Sequence, residues 1–197
     1  MKTIDRSYMS FLMLFFSLLM ACAPANQSSQ QQVEAGAIPS LQEIMIAKGL
    51  EGKPVSFYIN KADYYLEVRY DTMKLKRYAV VFGKDPVNDK LQEGDRRTPE
   101  GSFKVRAHYD HAKWRYFIWL DYPNEASWAK HKAAKAAGQI TQDASIGGEI
   151  GIHGVPEGYD YAIDERMNWT LGCISLRNAD LEELIPLLEV GMQIEIE

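Results

Sequence analysis

Residues 55–83, VSFYINKADYYLEVRYDTMKLKRYAVVFG, decide the fold class. Three runs rich in β-branched and aromatic residues, VSFYIN, YYLEVRY and LKRYAVVFG, are separated by the short polar breaks KAD and DTMK. Such runs read as a three-stranded antiparallel meander, with the aromatics serving as core and cross-strand pairs. Just upstream, LQEIMIAKGLEG (41–52) spaces Leu41, Ile44, Met45 and Leu50 as one helix face, with Ser40 as N-cap and Gly49 or Gly52 as the stop. Downstream, Gly94, Pro99 and Gly101 punctuate a long polar loop that returns to a strand at 102–107. KWRYFIWLDY (113–122) reads as another strand, and Asn124 caps a helix, EASWAKHKAAKAA, that ends at Gly138. EIGIHGV (149–155), CISLR (173–177), a helix NADLEELIPLL (178–188) and a last strand MQIEIE (192–197) complete the chain. Many strands, few helices and no βαβ alternation predict a mainly β, antiparallel domain with a few short helical insertions.

The N-terminus bears on compartment. Lys2 and Arg6 precede the apolar run YMSFLMLFFSLLM (8–20), which is shorter than the roughly 20 residues of a membrane-spanning helix. The run reads as the apolar part of an export signal. Leu19-Met20-Ala21-Cys22 resembles the lipobox of bacterial lipoproteins, in which the cysteine is lipidated and becomes the first residue after cleavage. The expected organisation is a lipoprotein signal peptide over 1–21, a flexible Ser/Gln/Asn/Ala-rich tether over 22–37 behind the lipidated Cys22, and one folded domain over 38–197. Ala23 after the cysteine is compatible with an exported, periplasmic protein anchored to the outer membrane. The net charge of −5, with no long basic run, excludes nucleic acid as the expected partner.

The chain has two cysteines. With Cys22 consumed by lipid, Cys173 has no disulfide partner, so in an exported protein it is a candidate reactive thiol rather than a small buried hydrophobe. A thiol with a pKa near ~8.5 is little ionised at neutral pH and needs a base. Among the four histidines, His108, His111 and His131 sit in polar or helical surroundings, whereas His153 lies on the apolar run IGIHG. Gly172 leaves room for backbone amides to face a developing oxyanion. The His-x-x-His of HYDH (108–111) is not the i, i+4 helical pair of zinc proteases, so no metal site is expected there.

IHG (152–154), a spacer and WTLGCISL (169–176) together resemble the signature of the bacterial L,D-transpeptidase catalytic domain, the YkuD type: His-x, a spacer, then Ser/Thr-x-Gly-Cys. GDRRTPEGSFKV (94–105) resembles that family's TPxGxF segment, and the resemblance extends over about residues 54–197. It implies an L,D-transpeptidase-type antiparallel β-sandwich or barrel and acyl transfer on peptidoglycan stem peptides, without metal or organic cofactor. Cys173 would attack the meso-diaminopimelate carbonyl of a tetrapeptide, expel D-alanine and leave a thioester. An amine would resolve it, forming a cross-link or attaching an acceptor protein, with consequences for cell-wall organisation and cell shape. His153 is implied as base and proton donor, the Gly154 carbonyl as the group fixing its ring, and amides at Gly172 and Cys173 as the oxyanion hole. Thr170 occupies the family's Ser/Thr position.

Two positions depart from the family pattern: Leu171 stands where many members have His, and Ser175 where many have Arg or Asn. Period two along a strand would put Cys173, Ser175 and Arg177 on one face, with Arg177 as a replacement carboxylate clamp. The helix around 124–138 would be either a wall over the site or a plain solvated helix. Two other functions remain open from sequence: a carboxypeptidase or hydrolase with the same thioester, and a non-catalytic, lipid-anchored wall-binding protein.

Overall fold

Helix α1 (Leu41–Ala47) is followed by the meander β1 (Ser56–Asn60), β2 (Tyr65–Tyr70) and β3 (Met73–Ala79). Strands β4 (Gly101–His111) and β5 (Arg115–Leu120) come next, then α2 (Glu125–Ala136), β6 (Gly151–His153) and the short α3 (Tyr161–Asp164). Strand β7 (Ile174–Ser175), α4 (Asn178–Leu184), a 3₁₀ turn (Ile185–Leu187) and β8 (Gln193–Ile196) end the chain. The structure is a computed structural model describing residues 38–197, so the signal and tether expected over 1–37 lie outside the described residues. Among the described residues no helix is long and apolar enough to cross a membrane.

The meander forms with register Ser56 opposite Arg69 and Tyr65 opposite Ala79. Phe57, Ile59, Leu66 and Val68 point inward and are fully buried. The tyrosines between them work on the other face, where Tyr58 and Tyr65 pair across strands (6.1 Å between rings). Arg69 and Arg77 lie over those two rings while both hold the Glu67 carboxylate. The two guanidinium groups keep Glu67 below the usual carboxylate range against the opposing effect of burial. Local signals also set the helices. Ser40 and Glu43 form a reciprocal capping box on α1, and the Asn124 side chain accepts from Ser127 N–H at the start of α2.

The eight strands form one sheet in the order β3-β2-β1-β8-β4-β5-β6-β7. It is mainly β as expected but mixed rather than wholly antiparallel. β8 enters the middle of the sheet parallel to β1 and antiparallel to β4, and β6 pairs parallel with β7. Long connections bring these strands together, and such connections permit parallel pairing where tight hairpins forbid it. β4 turns from one half of the sheet to the other at a register shift between Val105 and Ala107, where it leaves β8 and takes β5 as partner. The chain after β3 then closes the far edge, because Val81 and Ser175 exchange both backbone hydrogen bonds (2.8 and 2.9 Å). A main core joins the inner face of the meander to Leu41 and Met45 of α1 and to Leu181 and Leu184 of α4. A smaller cluster of Val81, Val155 and Ile163, with Trp169 packed on it, lies where the edge closes.

Candidate active site

Cys173 sits one residue before β7 and His153 ends the neighbouring β6, so parallel pairing places both at one rim of the sheet. Gly151 opposes the Phe117 ring so closely that a Cβ there would come within 2.4 Å of it. The missing side chain therefore lets β5 approach β6 two residues before His153. The thiol donates to the Glu149 carbonyl at 3.5 Å, and Cys173 and His153 line the same cleft.

His153 is buried, 1% exposed, within a stack of rings. Trp114, at the tip of the β4–β5 hairpin, lies on it at 4.4 Å, and His111 lies on Trp114 at the same spacing. Trp169 meets the imidazole edge-on at 5.5 Å. The His153 Nδ1 is 2.7 Å from the Gly154 carbonyl. A carbonyl only accepts, so Nδ1 carries the proton and Nε2 keeps its lone pair. Ser175 Oγ donates to the same carbonyl at 3.1 Å. No side chain fits at 154, since a Cβ there would meet Asn178 Oδ1 at 2.0 Å and the Trp114 carbonyl at 2.8 Å. Burial holds the imidazole down to about 4, and burial pushes the Cys173 thiol up to about 11 although Lys90 opposes it. At neutral pH the resting pair is therefore an uncharged thiol and an uncharged imidazole.

The turn before Cys173 is tied by one hydroxyl. Thr170 Oγ1 accepts from Gly172 N–H (3.2 Å) and donates to the Cys173 carbonyl (2.7 Å). Gly172 has φ +143°, and a Cβ there would lie 2.8 Å from the Arg97 carbonyl, so glycine is required on both counts. The cleft holding Cys173 and His153 has a volume of about 730 Å³ and is bordered by the 90–96 and 147–150 segments. A second cleft of about 270 Å³, lined by Tyr109, His111, Trp114, Phe117 and Trp119, also reaches Cys173 and Glu149.

Residues 54–196 match the family model of the L,D-transpeptidase catalytic domain, YkuD. The chain belongs to that family. Solved structures share the fold. The helical cell shape determining protein Pgp2 from Campylobacter jejuni, as a K307A mutant, is 22% identical with a TM-score of 0.53, over 74% of this chain and 48% of that one. The Pgp2 structure without that mutation is 21% identical at TM-score 0.51, over 80% and 53%. Bd1075 of Bdellovibrio bacteriovorus is 17% identical at TM-score 0.52, over 73% and 47%. The chain thus spans about half the length of these solved structures. Comparison with curated proteins finds no match.

Within this L,D-transpeptidase domain several residues lie elsewhere than the sequence reading places them. The strand expected over 173–177 has only two residues, because its pairing with Val81 ends at Ser175. Ser175 is fully buried and turned to the Gly154 carbonyl, not to the cleft. Arg177, expected as a carboxylate clamp, is the N-cap residue of α4, is held by Asp164 and Asp180 and does not line the cleft. The Gly172 amide, expected at the oxyanion hole, is engaged by Thr170. Leu171 is exposed at the rim of the cleft. Helix α2 contributes nothing to the lining and buttresses the 84–100 loop instead, with Lys130 on Asp89 and His131 on the Leu91 carbonyl at 2.6 Å. Sequence reading missed Trp114, Lys90, Arg96 and Glu149. The aromatic density of 114–119 was the one available signal for Trp114.

Proposed function

We propose that the chain is a cysteine-dependent peptidoglycan L,D-transpeptidase acting on tetrapeptide stems at the diaminopimelate carbonyl. The observation that carries this reading is the Nδ1–H bond from His153 to the Gly154 carbonyl, which leaves Nε2 as a base beside a cleft that holds a lone thiol. Attack begins when the thiol leaves the Glu149 carbonyl. Sγ bonds to the substrate carbonyl carbon while its proton passes to Nε2. The Cys173 amide is assigned as oxyanion donor, since the Gly172 amide is already engaged. Collapse breaks the C–N bond, the Nε2 proton goes to the leaving amine of D-alanine, and a thioester remains. An acceptor amine then adds, gives its proton to Nε2 and displaces the thiol, which takes that proton back. Two clefts meeting at Cys173 give donor and acceptor chains separate approaches.

The test is to incubate purified protein with a diaminopimelate tetrapeptide and resolve products by mass spectrometry. A 3-3 cross-linked dimer with released D-alanine is expected. Tripeptide alone would assign a carboxypeptidase, and unchanged substrate would leave a wall-binding protein.

The lipoprotein organisation is part of the proposal: signal over 1–21, lipid on Cys22, tether to 37, and the domain from 38 held at the periplasmic face of the outer membrane, within reach of peptidoglycan and of a protein acceptor. Lipid of the two-chain kind anchors stably. Cys22→Ser should therefore move the protein from the membrane fraction to the soluble fraction on export; equal partition of both forms would refute the anchor.

A further inference from the structure

Six non-glycine residues have positive φ among the described residues: Tyr64, Asp71, Arg96, Arg115, Glu149 and Arg166. Bulky residues seldom occupy this region unless the surroundings enforce it, and such positions gather at functional sites. Four are accounted for locally. Asp71 turns the β2–β3 hairpin, Arg115 pairs with Glu182, the Tyr64 hydroxyl accepts from Asn168, and Arg166 lies over the Tyr64 ring. Arg96 (φ 58°) and Glu149 (φ 57°) are different: both are exposed, both line the Cys173 cleft, and neither side chain has a partner among the described residues.

The other two charged residues of that cleft are committed. Lys90 is buried against Asp95 and the Gln92 carbonyl, and Glu93 accepts from Ser145. The backbones of the two free ones are fixed. The Arg96 carbonyl accepts from Asp85 N–H (3.1 Å) and packs onto Gly83, where a Cβ would come within 2.2 Å of it. The Glu149 carbonyl receives the Cys173 thiol, so the carboxylate belongs to a residue in contact with the nucleophile.

We infer that Arg96 and Glu149 are the specificity residues of this cleft and recognise a zwitterionic amino-acid head, Arg96 taking its carboxylate and Glu149 its ammonium. The inference rests on the stem-peptide reading above: the D-centre of meso-diaminopimelate carries both charges on one carbon, whereas lysine at the same place offers only the ammonium. A guanidinium matches a carboxylate through paired hydrogen bonds, and this pair takes the place that Arg177, engaged elsewhere, does not fill.

Binding can be measured without turnover. In the full chain carrying Cys173→Ala, calorimetry would compare the diaminopimelate tetrapeptide with the same peptide containing L-lysine. The diaminopimelate peptide should bind more tightly by about 10-fold or more. Adding Arg96→Gln should weaken only that peptide and bring the two within about threefold. Adding Glu149→Gln should weaken both alike and preserve their ratio. Lys53→Gln, the same charge change as Arg96→Gln at an exposed residue outside the cleft, should alter neither. The inference is overturned if Arg96→Gln weakens both peptides equally or neither, if Glu149→Gln leaves both unchanged, or if no peptide binds. Selective binding with no turnover by wild type would instead refute the transpeptidase reading and leave this one standing.

Discussion

Cys173→Ala should reduce tetrapeptide conversion to background, a loss of about 10⁵-fold, because without Sγ no thioester can form. The fold should survive. Cys173 is only part-buried, its thiol makes one weak contact, and removing one sulfur costs about 1 kcal/mol of burial. Thermal unfolding of variant and wild type should therefore nearly coincide. Intact-mass spectrometry after a carbapenem challenge should show one adduct on wild type and none on the variant. Conversion by the variant at wild-type rate would end the enzyme reading, and an adduct retained by the variant would place the nucleophile elsewhere.

His153→Ala should slow both alkylation of Cys173 by iodoacetamide and peptide turnover at neutral pH by about 10²- to 10⁴-fold. The reason is the uncharged resting pair. With the thiol pushed up to about 11, almost no thiolate exists at pH 7, so reaction depends on Nε2 removing the proton during attack. Raising the pH from 8.5 towards 11 should restore alkylation in the variant, since free thiolate then forms unaided. It should restore little turnover, because the leaving amine still lacks its proton donor. The wild-type acid limb carries a further signature. A base held down to about 4 stays neutral far below the ordinary histidine value, so activity should persist through pH 6.5 and fall only as pH approaches 4.

Stability follows with a definite sign. The His153 imidazole is harder to protonate folded than unfolded, so its contribution is complete above about 6.5 and is lost as pH falls through 6.5 to 4. The loss amounts to about 3 kcal/mol for a shift of this size. His153→Ala should be less stable at neutral pH, because the Trp114 stack loses its partner, yet show a flatter decline across that window. Chemical denaturation at pH 7, 5.5 and 4 measures it. Wild-type alkylation rates in the variant at pH 7 would remove His153 from the site.

The sequence by itself determined what short-range interactions control. The meander, the Ser40 N-cap and the Asn124 cap each depend on residues a few positions apart, and each formed as read. The family was legible too, because His153 and Cys173 with their flanking glycines keep a fixed order, and the family model spans 54–196. The tertiary structure alone decided the rest. That β8 enters the sheet centre parallel to β1 depends on a partner more than 130 residues away, and periodicity carries no direction. Whether Ser175 and Arg177 face the cleft depended on where β7 ends, which its bond to Val81 sets. Trp114 reaches His153 because Gly154 N–H bonds the Trp114 carbonyl at 3.0 Å, a contact across 40 residues. Which charges of the cleft remain free depended on which of their neighbours fold back to neutralise them. Lys90 finds Asp95 within its own loop, whereas Arg96, one residue beyond that aspartate, is turned by its left-handed backbone to the cleft and finds no partner among the described residues.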